Sequence, residues 1–277
     1  MKILKNKLQI FITLVFLGFI GWWLSFQHVV DKQGSSVNWF ENTYGLMALM
    51  GSIIGFVVMK RWGGTRTVLG KALIFFSLGL FAQEAGQLVS SYYTQIAKVA
   101  LPYPSLGDVA YFGSVLLYTC AAIFLSKLAG VGFSLKKPVY KIIAVVVPLV
   151  MLIFSYSLLL HNHQYDTTKP LTVFLDAGYP IVQACYVSIA IVAYLLSRKI
   201  MGGIMRAGFV LVVLALSVQY LSDFTFIYQS HRNTYVPGKY DDLFYLIAYF
   251  VMTTAMIKFH SIYSGLKNRP VTGAGKA

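Results

Sequence analysis

The sequence predicts an all-α integral membrane protein, a bundle of about eight transmembrane helices built from helical hairpins. Three observations carry that prediction. Apolar runs long enough to cross a bilayer recur along all 277 residues. Charged side chains are scarce, 12% of the chain against about 25% in an ordinary soluble domain. The basic residues gather in every second loop, as the positive-inside rule requires of a multi-pass protein.

A span needs about 20 mostly apolar residues. Eight segments approach that: Leu8–Phe26, Tyr44–Met59, Ala72–Tyr92, Leu106–Leu125, Ile142–Leu160, Leu171–Leu196, Ala207–Tyr228 and Asp241–Ile257. Their apolar character is continuous rather than alternating, which favours helices over a β-barrel. The first follows the basic start "MKILKNK" and ends at Trp22 and Trp23 without a small-x-small site, so it reads as an uncleaved span and not a signal peptide. The second is short. The sixth carries Pro180, which lacks the N–H that would bond the Asp176 carbonyl, so a kink or a polar cavity is expected there. Residues 1–260 are expected to form one transmembrane domain and 261–277 a short disordered cytoplasmic tail.

Charge fixes the expected orientation. With the N-terminus in the cytoplasm, 18 of the 23 Lys and Arg residues fall on the cytoplasmic side. They lie at the two ends and in the loops spanning Lys60–Lys71, Lys127–Lys141 and Arg198–Arg206. Both termini are therefore predicted to be cytoplasmic in a cell membrane. The net charge of +14 then reflects topology and contact with the lipid bilayer, and no nucleic-acid partner is expected. Of the nine acids none falls in a cytoplasmic loop. Cys120 and Cys185 lie within apolar runs and say nothing of redox compartment.

The acids show a pattern. Four copies of carboxylate-x-x-Tyr occur, at Glu41–Tyr44, Asp108–Tyr111, Asp176–Tyr179 and Asp242–Tyr245. Each falls at or near the start of a span that runs inward. An acid at a helix N-terminus meets free N–H groups and the positive end of the dipole, and a tyrosine suits the interface. Asp176 lies deeper, with Tyr179, Gln183 and Tyr186 following at helical spacing. Glu84 and Asp223 fall well inside their spans, where a charge costs at least about 2.5–3.5 kcal/mol. Such a group survives by facing the bundle interior, by pairing or by being protonated. Gln83 and Gln87 extend a polar strip around Glu84, and Gln219 and Ser222 do so around Asp223. "LFAQEAGQLVSSYY" also aligns without gaps to "LSVQYLSDFTFIYQ", matching Gln83 to Gln219, Gln87 to Asp223 and Tyr92 to Tyr228, as an internal repeat would.

Catalytic readings find little. No lysine lies in mid-span, and no G-x-S-x-G, H-E-x-x-H or phosphate-binding glycine loop occurs. No cofactor, metal or enzymatic activity is expected. "HNHQYD", with His161, His163 and Asp166, is too weak a pattern for a metal site, and solvated loop residues are its ordinary reading. His28 and His231 join these two histidines in the outer loops, where they could respond to pH. The expected ligand-binding or proton-sensing set is Glu84, Gln87, Asp108, Tyr111, Asp176, Tyr179, Gln183, Gln219, Asp223, Asp242 and Tyr245, lining an outer-leaflet polar cavity. Two functions follow: a sensor for a small-molecule ligand or protons that acts through a cytoplasmic signalling partner protein, or a proton- or ion-coupled transporter.

One resemblance bears on the choice. "ALPYPSLGDVAYFGSVLLY", with its Pro-Ser-x-x-Asp core, resembles the multi-pass membrane sensor regions of bacterial diguanylate cyclases and related signalling proteins. "QEAGQLVSSYY" before it, and "DAGYP" and "SDFTFIYQSHRNTYVPGKYDDLFY" after it, are similar in order to that family's polar helix, Asp-x-x-Tyr-Pro helix and final hairpin. The likeness covers the third to the eighth span. It implies a signal-transducing sensing bundle for an unspecified ligand, here expected without an output domain.

Overall fold

The computed structural model describes residues 2–27, 35–161, 165–197, 205–232 and 234–267. Its α-helices, in chain order, are α1 (Lys2–Gln27), α2 (Ser35–Glu41), α3 (Leu46–Arg61), α4 (Val68–Ser91), α5 (Leu106–Leu128), α6 (Val131–Ser134), α7 (Pro138–Ser155), α8 (Pro170–Ser197), α9 (Met205–His231) and α10 (Tyr240–Lys267). A 3-10 turn at Gly64–Arg66 precedes α4, and π-turns at Tyr92–Ile96 and Tyr156–Leu160 prolong α4 and α7. Among the described residues there is no strand, and eight helical segments are long and apolar enough to cross a membrane.

Helix starts follow local chemistry. The Thr67 hydroxyl accepts from the Gly70 N–H at 3.0 Å to cap α4. Ser105 and Asp108 form a capping box on α5, where Asp108 Oδ2 accepts from the Ser105 N–H at 2.7 Å. Pro138 and Pro170 open α7 and α8, where a missing N–H costs nothing. Pro180 lies inside α8, yet the helix continues to Ser197.

The second span departs from expectation. A separate short helix precedes it: α2 ends at Glu41, residues 42–45 turn, and α3 starts at Leu46 with Gly45 as N-cap and no side-chain cap. Glu41 thus closes one helix rather than opening the next. At the other terminus α10 runs to Lys267, into the segment expected to be a tail, and residues 268–277 lie outside the described residues.

Six helices close a ring. Neighbours pack in the order α3, α4, α5, α8, α9, α10 and back to α3. α1 leans on α10 and α7 on α8, outside the ring, and these two bury the least of their apolar windows. Contacts between ring helices combine small residues with polar ties. Gln83 Nε2 donates to Ser114 Oγ at 2.7 Å, and the Tyr249 hydroxyl donates to Gln83 Oε1 at 3.0 Å.

The two ends of the bundle differ in chemistry. At one end Lys71 and Lys127 both lie over the Phe124 ring, Arg61 meets His260, and Trp62 Nε1 donates to the Phe259 carbonyl. At the other, Gln27 donates to the Gly238 carbonyl, Gln87 to the Glu41 carbonyl, and the Tyr103 hydroxyl to Asp176. We call these the basic end and the acidic end.

Candidate functional site: a tyrosine- and carboxylate-lined cavity

The ring encloses a cavity of about 730 Å³ toward the acidic end. Its wall includes Glu41 and Tyr44 from the turn before α3, Gln83 and Gln87 from α4, and Asp108 and Tyr111 from α5. Asp176, Tyr179 and Gln183 come from α8, Asp223 from α9, and Asp242, Tyr245 and Tyr249 from α10. Asp242 and Tyr249 are seven residues apart on α10, so the wall descends about 10 Å along that helix. On the basic side of Asp223 and Tyr249 the ring is filled by Phe76, Tyr118, Leu216, Met252, Met256 and Phe259, each at most 1% exposed. The cavity therefore ends blindly inside the bundle.

Its carboxylates are served by tyrosine hydroxyls. Asp108 Oδ1 accepts from Tyr179 at 3.3 Å and Asp176 Oδ1 from Tyr103 at 2.7 Å. Glu41 Oε1 accepts from Tyr235 at 3.5 Å. Asp223 accepts from Tyr245 at 2.9 Å, from Gln219 at 3.0 Å and from Tyr186 at 3.4 Å. Asp242 Oδ2 accepts from the Gly238 N–H at 2.6 Å and faces the Tyr44 hydroxyl. Among the described residues no lysine or arginine lines the wall. Burial, and then the Asp176 and Asp108 carboxylates, push the loop residue Tyr103 well above the usual phenol range. Burial with Asp242 and Glu41 does the same to Tyr235. Both phenols therefore remain hydrogen-bond donors across the physiological pH range.

These bonds explain the carboxylate-x-x-Tyr pattern. In no copy does the tyrosine bond its own acid. Tyr44 reaches toward Asp242, Tyr111 donates to Gln87 at 3.4 Å, Tyr179 reaches Asp108 and Tyr245 reaches Asp223. Each motif ties its helix to another element of the ring. The aligned strips of α4 and α9 also correspond in place: Gln87 accepts from the tyrosine of the Asp108 motif, and its counterpart Asp223 from that of the Asp242 motif.

Of the residues singled out in the sequence, Gln87, Asp108, Tyr111, Asp176, Tyr179, Gln183, Asp223, Asp242 and Tyr245 line the cavity. Glu84 does not. It is 4% exposed, and a Cβ built on Gly45 would collide with its Oε2, which places it between α4 and the start of α3. Neither does Gln219, which lies behind Asp223 as its donor. Glu41, Tyr44, Gln83, Tyr103, Tyr235 and Tyr249 were not among the selected residues, yet they line the wall. Tyr249 was detectable one helical turn after Tyr245, whereas Tyr103 and Tyr235 sit in loops without periodicity. The histidine pattern divides: His163 and His28 lie outside the described residues, while Asp166 is bonded to Thr168 and Lys169. The Thr168 hydroxyl and N–H, with Lys169, hold Asp166 below the usual carboxylate range. Among the described residues no three His, Cys, Asp or Glu side chains group as a metal site.

Fold and site together define a class, a multi-pass α-helical membrane protein with a blind polar cavity at one end of a six-helix ring. No family model, no curated protein and no solved structure matches the chain.

Proposed function

We propose that the chain is a membrane-embedded sensor whose cavity receives a small ligand or protons and whose basic end transmits the change to a cytoplasmic signalling partner. The blind cavity is the observation that carries this reading. A solid apolar floor separates it from the basic end, so occupancy is felt as a change in packing and not as passage. Hydroxyl–carboxylate ties join α5 to α8, α8 to α9 and α9 to α10, so a ligand that replaces one tie alters the angle between helices. The resemblance of the third to eighth spans to the sensor regions of bacterial diguanylate cyclases supports the same role. The positive-inside rule supports placing the basic end in the cytoplasm and the cavity toward the outside of the cell membrane.

A proton- or ion-coupled transporter is the competing reading, because buried acids and a repeat also suit alternating access. Two measurements on one preparation separate the readings. Spin labels at Arg61→Cys and Lys127→Cys, in a background with Cys120 and Cys185 replaced by alanine, report helix separation at the basic end. The sensor reading expects that separation to change on acidification, with no gradient-driven proton flux in proteoliposomes. Flux that Asp223→Asn abolishes, with label distances unmoved, sinks it.

A further inference from the structure

We infer that the occupant of the cavity is an organic cation, an amine or quaternary ammonium group on a compact apolar body. The inference deepens the binding role proposed above and rests on it. Charge is the first ground. Five carboxyl groups, those of Glu41, Asp108, Asp176, Asp223 and Asp242, line one space, and among the described residues no lysine or arginine lines its wall. The hydroxyls that reach Glu41, Asp108, Asp223 and Asp242 are neutral and bring no positive charge to them. An anion placed there would meet like charge in a medium of low dielectric.

The rings are the second ground. Tyr44, Tyr245 and Tyr249 form a near-parallel group with centroids 6.2–6.5 Å apart, all on the cavity wall. Aromatic faces within about 6 Å of a cation attract it through the ring quadrupole. Gln183 is the third and independent ground. It is 3% exposed and stands on the wall, and its amide finds no hydrogen-bond partner among the described residues. A buried amide without a partner is costly, so this side chain is free to bond an occupant. Its carbonyl oxygen is an acceptor for an ammonium N–H.

Size and lining complete the class. A volume of about 730 Å³ lies within the range of small-molecule sites, roughly 300–1,000 Å³. Leu175, Phe226 and Ile227 give the wall an apolar side for the body of the ligand. A second, apolar groove between α5 and α8 shares Ser105, Asp108 and Leu175 with the cavity wall.

Three probes of one shape test the charge: phenethylammonium, phenethyl alcohol and phenylacetate, titrated calorimetrically onto the full chain in lipid nanodiscs, with tetramethylammonium as a second cation. Phenethylammonium is expected to bind at least about tenfold more tightly than either isostere. Asp242→Asn, which keeps an acceptor for Gly238, weakens it about tenfold, and Gln183→Lys, which brings its own cation into the cavity, abolishes it. Equal binding of the three isosteres, preference for phenylacetate, or no binding by either cation overturns the inference. If a variant fails to fold, the comparison of isosteres on the unaltered protein decides alone. The spin-labelled protein keeps the two readings apart. Cation binding that leaves the basic end unmoved upholds the ligand class and sinks the sensor. Movement driven only by an anion does the reverse.

Discussion

Asp223 shows how a buried acid becomes a structural centre. It is 6% exposed and accepts from Tyr245, Gln219 and Tyr186, which come from α10, its own helix and α8. Tyr245→Phe removes one bond and is expected to cost about 1 kcal/mol. Asp223→Ala strands three donors, each costing about 1–3 kcal/mol when buried without a partner, and is expected to be the more damaging change. Combining the two should reveal a coupling of about 0.5–3 kcal/mol in a double-mutant cycle of unfolding in micelles. Additive effects would mean the bond contributes nothing. Glu84 is a contrast, and one that the sequence could not resolve. Both acids read as mid-span carboxyls beside glutamine. On α4 the cavity face is set by Gln83 and Gln87, four residues apart, and Glu84 points about 80° away from the middle of that face at 3.6 residues per turn. Which face looks inward is a property of how helices dock, and a polar strip that holds Gln83, Glu84 and Gln87 together does not say which of them faces the cavity. The four tyrosine motifs were legible as a pattern for the same reason that their partners were not: each bonds across the ring, to a residue far away in sequence.

At the scale of elements, the α4–α5 pair is held by absence of side chains. A Cβ built on Gly86 would lie 2.7 Å from the Tyr111 ring, and one on Gly79 2.5 Å from the Tyr118 ring. The two glycines are seven residues apart and share a face, so both tyrosine rings approach the α4 backbone closely. Gly86→Ala is expected to overpack this seam at a cost of about 1–3 kcal/mol. It should also push Tyr111 off Gln87 and narrow the cavity. A thermal melt of the purified variant reads the first effect, and a melting point equal to that of the unaltered protein would contradict the seam. The spans themselves were plain in the sequence, because about 20 apolar residues can hardly do anything else. Their true ends were not. α4 begins at Val68 and α10 extends to Lys267, since a helix continues past the hydrocarbon wherever its backbone remains bonded. The turn after Glu41 was hidden because "ENTYG" supplies both a plausible helix start and a break, and docking of Gly45 against Glu84 selects the break.

For the whole molecule, the charge asymmetry between the ends is the property on which orientation depends. Lys60, Arg61, Arg66, Lys71, Lys127, Lys136, Lys137 and Lys141 lie in or beside the loops at one end of the ring, and the acids of the cavity lie toward the other. Moving basic loops across a charged membrane is unfavourable, and the proposed orientation therefore keeps them in the cytoplasm. In that orientation the eight candidate spans found among the described residues would return both termini to the same side. Green fluorescent protein fused after residue 277 should fluoresce, and alkaline phosphatase at the same place should be inactive. The same reporters inserted at Ala97, in the turn that follows the π-turn of α4, should behave oppositely. Phosphatase activity at the C-terminal fusion would invert the bundle. The cavity would then face the cytoplasm, and the basic end could no longer address a cytoplasmic partner. The ring, its blind cavity and the preference for a cation would be untouched by that result, because they depend on packing and charge inside the bundle and not on which side of the membrane it opens.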